Sequence, residues 1–325
     1  MSQTRYISAI NQALYEEMER DQDVILMGED VGKPGGSFGA SRGLLDKFGF
    51  RRVIDTPICE ASFTSMAVGA AACGLRPVVE IMFMDFITVC MDAIVNQMAK
   101  MRYMCGNQVT LPLVLRTPAG AGLNAGPQHS QSLEAWFAHV PGLKVVMPST
   151  PQDAKGLLKS AIRDDNPVLV VEHKVLHSMK GEVEEGEVLT PIGKAAVRRP
   201  GADITIVSAG RMVLQALEAA GQLEAEGIKA EVIDLRTIQP WDRETVFNSV
   251  CKTHRLVIAQ EAVKQFGFGA EVAASVSEEI LEELDAPIGR VGGPFVPVPF
   301  GLEKHYLPGA SQIVEAARAA AQGGF

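Results

Sequence analysis

Three sets of side chains in this sequence stand where they could handle protons or ions. Glu60 lies in RVIDTPICEASF, residues Arg52 to Phe63, directly ahead of a small, apolar run from Ser65 to Gly74. A helix starting near Glu60 carries Ala67, Gly69, Ala70, Ala71 and Gly74, which allow backbones to approach on nearly all sides. A carboxyl there has two readings. It is either a first-turn acid that complements the helix dipole, or a group whose pKa is lifted by desolvation for proton work. His129 lies in the glycine-rich PAGAGLNAGPQHSQ, just before the predicted helix SLEAWFAHV. The positive end of that helix would hold an imidazole neutral and ready to exchange a proton; the plain alternative is capping by Ser130 and Gln131. Asp164, Asp165 and Asn166 close a helix in IRDDNP, as a turn or as an oxygen-lined cation site that borrows helix-end carbonyls.

Other chemistries find less support. GKPGGSFGASRG has its glycines in the wrong order for a dinucleotide turn, QFGFGAE offers a lone GxG, and no P-loop occurs, so a nicotinamide-dependent oxidoreductase is the weaker class. The remaining histidines lack zinc spacing such as HExxH. Asp85 and Asp92 read as the start and polar face of an apolar helix. A net charge of −9 argues against nucleic acid, because phosphate backbones are bound by clustered Lys and Arg. Five cysteines, an odd number and never spaced as CxxC, suit a reducing compartment. The N-terminus shows neither a signal-peptide core nor an Arg-rich transit pattern, and no apolar run reaches membrane-spanning length without charges. The expectation is a soluble cytoplasmic protein.

The elements that must position these residues alternate along the chain. Ile10, Leu14 and Met18 share one face of a helix around residues 7–19, followed by the strand DVILMG. RRVID, RPVVEIMF, LPLVLRT, LKVVMP and PVLVVEH read as further strands, and DFITVCMDAIVNQMAKMRYM as one long apolar helix. Between about Gly181 and Ala202 the chain turns charged and Gly/Pro-punctuated. A second series then starts at DITIVSAG and closes with a helix from Ser311. Short apolar strands alternating with helices predict α/β architecture, with parallel sheets covered on both faces. At 325 residues the chain exceeds what one core usually serves. The expected domains are residues 1–185 and 201–325, joined by a linker over 186–200.

Taken in order, MGEDVG, GLLDKFG, RVIDTPICE, GLRPVVEIMF, DFITVCMDAIVNQMAK, HSQSLEAWFAHVPGLKVVMPSTPQDAKGLL, AIRDDNPV, AEVIDLRTIQP and PVPFGLEKHYLP resemble the β-subunit of the decarboxylating first component of 2-oxoacid dehydrogenase complexes. This is the transketolase-like thiamin diphosphate family of pyruvate, branched-chain 2-oxoacid and acetoin dehydrogenases. The resemblance spans essentially the whole chain. It implies a pyrimidine-binding domain followed by a transketolase C-terminal-like domain.

By the same resemblance, Glu60 hydrogen-bonds the pyrimidine N1′ of thiamin diphosphate, and a proton shared there makes the exocyclic amine basic enough to ionise the thiazolium carbon. Glu29, Ile58, Met82 and Phe86 would complete the cofactor pocket, with Phe86 stacking on the ring. His129 matches a histidine that assists proton transfer or reductive acylation of a lipoyl group. Leu113, Ala161, Ile162, Asp164 and Asn166 match a potassium site, the first three through backbone carbonyls. The family's diphosphate motif GDG is absent, so the resemblance assigns Mg²⁺ and the diphosphate to an α-subunit in an α2β2 heterotetramer that serves a dihydrolipoamide acyltransferase core. Met82 stands where some members carry Gln and His177 where Tyr is common, closer to pyruvate and acetoin enzymes than to branched-chain ones. PVPFGLEKHYLP is shorter after Phe300 than in many relatives, which bears on core docking. A self-sufficient transketolase-like enzyme and a non-catalytic scaffold are the rival readings.

Overall fold

The computed structural model describes residues 1–323. Its first elements are β1 (Ser2–Arg5), α1 (Tyr6–Arg20), β2 (Val24–Gly28), α2 (Leu44–Phe48), β3 (Val53–Asp55), α3 (Glu60–Ala72) and β4 (Arg76–Glu80). A 3-10 segment (Met84–Cys90), a π-helical one (Ala93–Met98) and the short α4 (Met101–Met104) come next. Then follow β5 (Val114–Ala119), α5 (Glu134–Ala138), β6 (Lys144–Val146), α6 (Pro151–Arg163), β7 (Val168–His173) and β8 (Lys180–Val183). The remainder holds β9 (Ala196–Arg199), β10 (Ile204–Ser208), α7 (Met212–Glu224), β11 (Ala230–Asp234), β12 (Thr237–Gln239), α8 (Arg243–Thr253) and β13 (Leu256–Val263), then α9 (Phe268–Glu279), β14 (Gly289–Gly293), α10 (Glu303–Tyr306) and α11 (Ala310–Gln322).

The chain divides into two units, residues 1–119 with 136–192, and residues 120–135 with 193–325. In the first, strands run β6-β7-β5-β4-β2-β3, every neighbouring pair parallel. Strands β2, β5 and β7 are buried along their whole length, as their unbroken apolar runs require when both faces are covered. The periodic face of α1 is buried through Ile10, Leu14 and Met18. The second unit has the order β14-β13-β10-β11-β9, parallel except for the antiparallel edge strand β9. Its core joins Ile204, Ile206, Val232 and Val257 of the sheet to Leu223, Ile313 and Val314.

Three expectations change. The long apolar helix after Phe83 is broken into 3-10, π and α pieces; Ile87, Thr88, Val89 and Val95 are β-branched, and such side chains favour an α-helix less. Part of the expected linker is strand β9. The polar β1, unremarkable by pattern, pairs antiparallel with β8.

Candidate active site

In the first unit the strand order places β4 on one side of β2 and β3 on the other. Chain leaving β2 turns toward β3, then crosses back to β4, so a crevice opens beyond the carboxyl ends of β2 and β4. Such switch points are where open parallel sheets hold ligands. The expected residues follow these strand ends: Glu29 after β2, Glu60 after β3, Met82 and Phe86 after β4. Gly28 ends β2 at φ 155°, where a Cβ would lie 2.6 Å from the Glu80 carbonyl oxygen. Only glycine lets the two backbones come so close.

Glu60 occupies the first turn of α3, after a Cys59 that makes no side-chain cap. It is 7% exposed and Glu29 5%. Burial, then the nearby Glu60 and Asp30 carboxylates, pushes the Glu29 carboxyl up to about 6. Its Oε1 is buried with no hydrogen-bond partner, a rare state for a carboxylate in a folded chain. Cys90 lies in the same neighbourhood; burial, opposed by Thr64 and reinforced by Glu60, pushes its thiol up to about 11. Two carboxylates and an inert thiol thus share a dry corner. The sequence suggested burial of α3 on nearly all sides, but in this chain one face (Phe63, Thr64, Ala67, Val68) is buried while Ala61, Ser62, Ser65 and Met66 are exposed.

Behind the crevice stands a charge network that the sequence did not announce. Arg116 of β5 donates through Nε and Nη2 to Glu172 of β7 at 2.6 and 2.8 Å and through Nη1 to Glu80 of β4. His177 Nε2 lies 3.1 Å from Glu172. Burial alone would raise the Glu172 carboxyl, but Arg116 and His177 bring it down to about 2; Glu80, with burial dominant, stays raised. The glycine-rich loop rests on this network: a Cβ at Gly36 would sit 2.4 Å from Glu80 Oε1. Phe38 meets His177 edge-on at 5.0 Å and Phe83 at 5.6 Å, and Phe83 meets Phe86 at 5.6 Å. The ring expected to stack on a cofactor is thereby braced by Phe83, which in turn meets Phe38.

The other expected residues scatter in character. Ile58 is 84% exposed, and Met82 and Phe86 are half-buried. His129 ends a 3-10 turn, Pro127–His129, whereas α5 begins at Glu134. His129 thus stands five residues ahead of the start of α5. The expected potassium donors each accept a hydrogen bond within the chain. The carbonyls of Leu113, Ala161 and Ile162 accept from Val168 N, Asp164 N and Arg76 Nη1 at 3.0, 3.2 and 3.0 Å. Asp164 pairs with Lys144, and Asn166 Oδ1 accepts from Arg102 at 2.6 Å. Burial alone would raise the Asp164 carboxyl, yet bonds from Lys144 and Asn166 hold it below the ordinary range.

Comparison with known proteins defines the class. Residues 2–178 match the transketolase pyrimidine binding domain and residues 193–313 the transketolase C-terminal domain. The chain is 50% identical to a mitochondrial pyruvate dehydrogenase E1 component subunit beta-2 of Oryza sativa subsp. japonica, covering 96% of this chain and 85% of that one. It is 46% identical to the 2-oxoisovalerate dehydrogenase subunit beta of Bacillus subtilis, over 99% and 100%. The beta subunit of an acetoin:2,6-dichlorophenolindophenol oxidoreductase from Cupriavidus necator is 48% identical, over 97% of each. A solved structure described as a split-gene transketolase, inactive beta4 tetramer, superposes with TM-score 0.81 at 27% identity over 97% of both chains. The chain belongs to the family of E1 β-subunits of the pyruvate, branched-chain 2-oxoacid and acetoin dehydrogenases, a transketolase-like thiamin diphosphate family of oxidoreductases. Among the described residues no helix is long and apolar enough to cross a membrane.

Proposed function

We propose that this chain supplies the pyrimidine half of a thiamin diphosphate site and works with an α-subunit in an α2β2 heterotetramer, cleaving pyruvate or acetoin and passing the acyl group to the lipoyl arm of an acyltransferase core. The observation that carries this reading is the buried pair at the switch point: Glu60 at the head of α3 beside Glu29, whose Oε1 has no partner. An unpaired buried carboxylate oxygen is costly, and a polar group of a cofactor seated beside Glu60 would meet the need at Glu29. When bound, thiamin diphosphate supplies the carbon nucleophile and electron sink for cleavage next to a carbonyl.

The chain's own residues would do the aiming. Glu60, buried at the head of α3 beside Glu29, would hydrogen-bond the pyrimidine N1′ and exchange a proton with it. Phe86 offers its face to the ring, backed by Phe83 and Phe38. Met82 and the exposed Ile58 offer apolar contact. His129 would serve proton or acyl transfer. Mg²⁺ and the diphosphate fall to the α-subunit, because this sequence has no GDG. Potassium at the end of α6 would draw on oxygens that each accept hydrogen bonds already but keep further lone pairs, and no step is routed through it.

The test is to co-express the chain with its α-subunit and assay pyruvate, branched 2-oxoacids and acetoin with a dye acceptor, with and without thiamin diphosphate. Cofactor-dependent dye reduction with pyruvate or acetoin is expected, with none from the chain alone. A preference for branched 2-oxoacids would move the enzyme to the branched-chain class, whose Bacillus subtilis member is 46% identical. Turnover by the isolated chain with Mg²⁺ and cofactor would replace the proposal with a self-sufficient transketolase-like enzyme.

A further inference from the structure

The motif PVPFGLEKHYLP bears on core docking in the family resemblance, yet its glutamate points inward. Glu303, the first residue of α10, is 2% exposed. Its Oε2 accepts from the backbone N–H of Gly122 at 2.5 Å and of Asn124 at 2.8 Å, and its Oε1 from Ser130 Oγ at 3.1 Å. These donors lie 173 to 181 residues away in sequence and flank the turn that carries His129. All belong to one unit.

The loop's own conformation prepares it for an anion. Gly122 has φ 112° and Asn124 φ 53°, left-handed turns of the kind that gather successive N–H groups into a concave anion site. Here the anion is the protein's own carboxylate. A second tether stands at the start of the loop: Ala121 N–H donates to Glu261 Oε1 at 2.8 Å, and Arg211 holds Glu261 Oε2 at 3.1 Å. Phe300, three residues before Glu303, lies 3.7 Å from where a Cβ on Gly126 would sit. Charge-assisted hydrogen bonds are about twice as strong as neutral ones, and Glu303 accepts from both sides of the turn that carries His129.

We propose that Glu303 is a positioning residue that acts through the 120–131 loop to hold His129 at its working place. The proposal rests on the role given to His129. Its test uses the co-expressed α/β complex with lipoyl and dye acceptors, together with hydrogen exchange at the Gly122 and Asn124 amides. Glu303→Ala should speed exchange at both amides and lower kcat with the lipoyl acceptor by about a hundredfold with little change in KM, the scale expected of a small misplacement. Glu303→Gln should restore most activity, because the amide oxygen still accepts both N–H groups and its NH₂ can donate to Ser130. On a His129→Ala background Glu303→Ala should cost nothing further. Ser130→Ala, which removes one contact, should give an intermediate loss should Glu303→Ala fail to fold.

Unchanged exchange in Glu303→Ala, or losses that multiply in the double variant, would overturn the clamp. If His129→Ala is itself fully active, the role of His129 falls, and the exchange data still judge whether Glu303 holds the loop.

Discussion

Two pairs of buried carboxylates, one pair from each unit, are treated in opposite ways. In the first unit Glu29 and Glu60 meet at the sheet's switch point, Glu29 with a pKa pushed up to about 6 and an oxygen that nothing in the chain satisfies. In the second, Glu303 and Glu261 are as deeply buried, but backbone N–H groups, a hydroxyl and an arginine fill their acceptor sites. Desolvation costs are similar, since both pairs have left water. The outcome depends on whether the fold returns the lost hydrogen bonds. Where it does, the carboxylate holds backbone in place; where it does not, the carboxylate is left ready for a group from outside the chain. Glu80 and Glu172 belong with the first kind, satisfied by Arg116.

The contrast can be broken or sharpened by substitution. The largest effect is expected at Glu60: Glu60→Gln should leave assembly with the α-subunit intact but reduce turnover by about a thousandfold, within the range of lost proton-transfer catalysis. Near-normal turnover would move Glu60 to the structural group. Arg116→Met comes next. It strands two buried carboxylates, and breaking a buried pair in this way costs about 3–5 kcal/mol, read as a lowered urea midpoint. A midpoint close to that of the unsubstituted chain would mean that Glu80 and Glu172 find other partners.

The smallest effect concerns Glu134, which burial, with a further push from Glu261, raises from its ordinary 4.5 to about 7. In the folded state it keeps its proton to higher pH than in the unfolded chain. Its contribution to stability is therefore fully present below about pH 4.5 and is lost as pH rises through about 7. Glu134→Gln should raise the thermal midpoint at pH 8 by an amount worth at most about 3 kcal/mol and change it much less at pH 5. A gain that is equal at both pH values would show that charge is not the cause.

Much of this was legible in the amino acids. The spacing of Ile10, Leu14 and Met18 located α1, and unbroken apolar runs located β2, β5, β7 and β10, because short-range periodicity reflects which face meets the core. Glu60 stood out as an acid beside small residues, and the colinear motifs carried the family. Glu303 carries no local signal of its role inside PVPFGLEKHYLP, and neither does Arg116 inside the strand LPLVLRT. Helix α5 starts two residues later than SLEAWFAHV suggests.

Composition and pattern alone settled that the chain is α/β, that it holds two series of strands and helices, and that an acid stands at the head of α3. Those properties come from neighbours a few residues apart, so a linear reading reaches them. Which carboxylates are satisfied was decided by folding: the donors to Glu303 come from 173 to 181 residues away, and those to Glu80 and Glu172 from a neighbouring strand. Desolvation and hydrogen bonding depend on what packs around a group in space, and no local pattern encodes that.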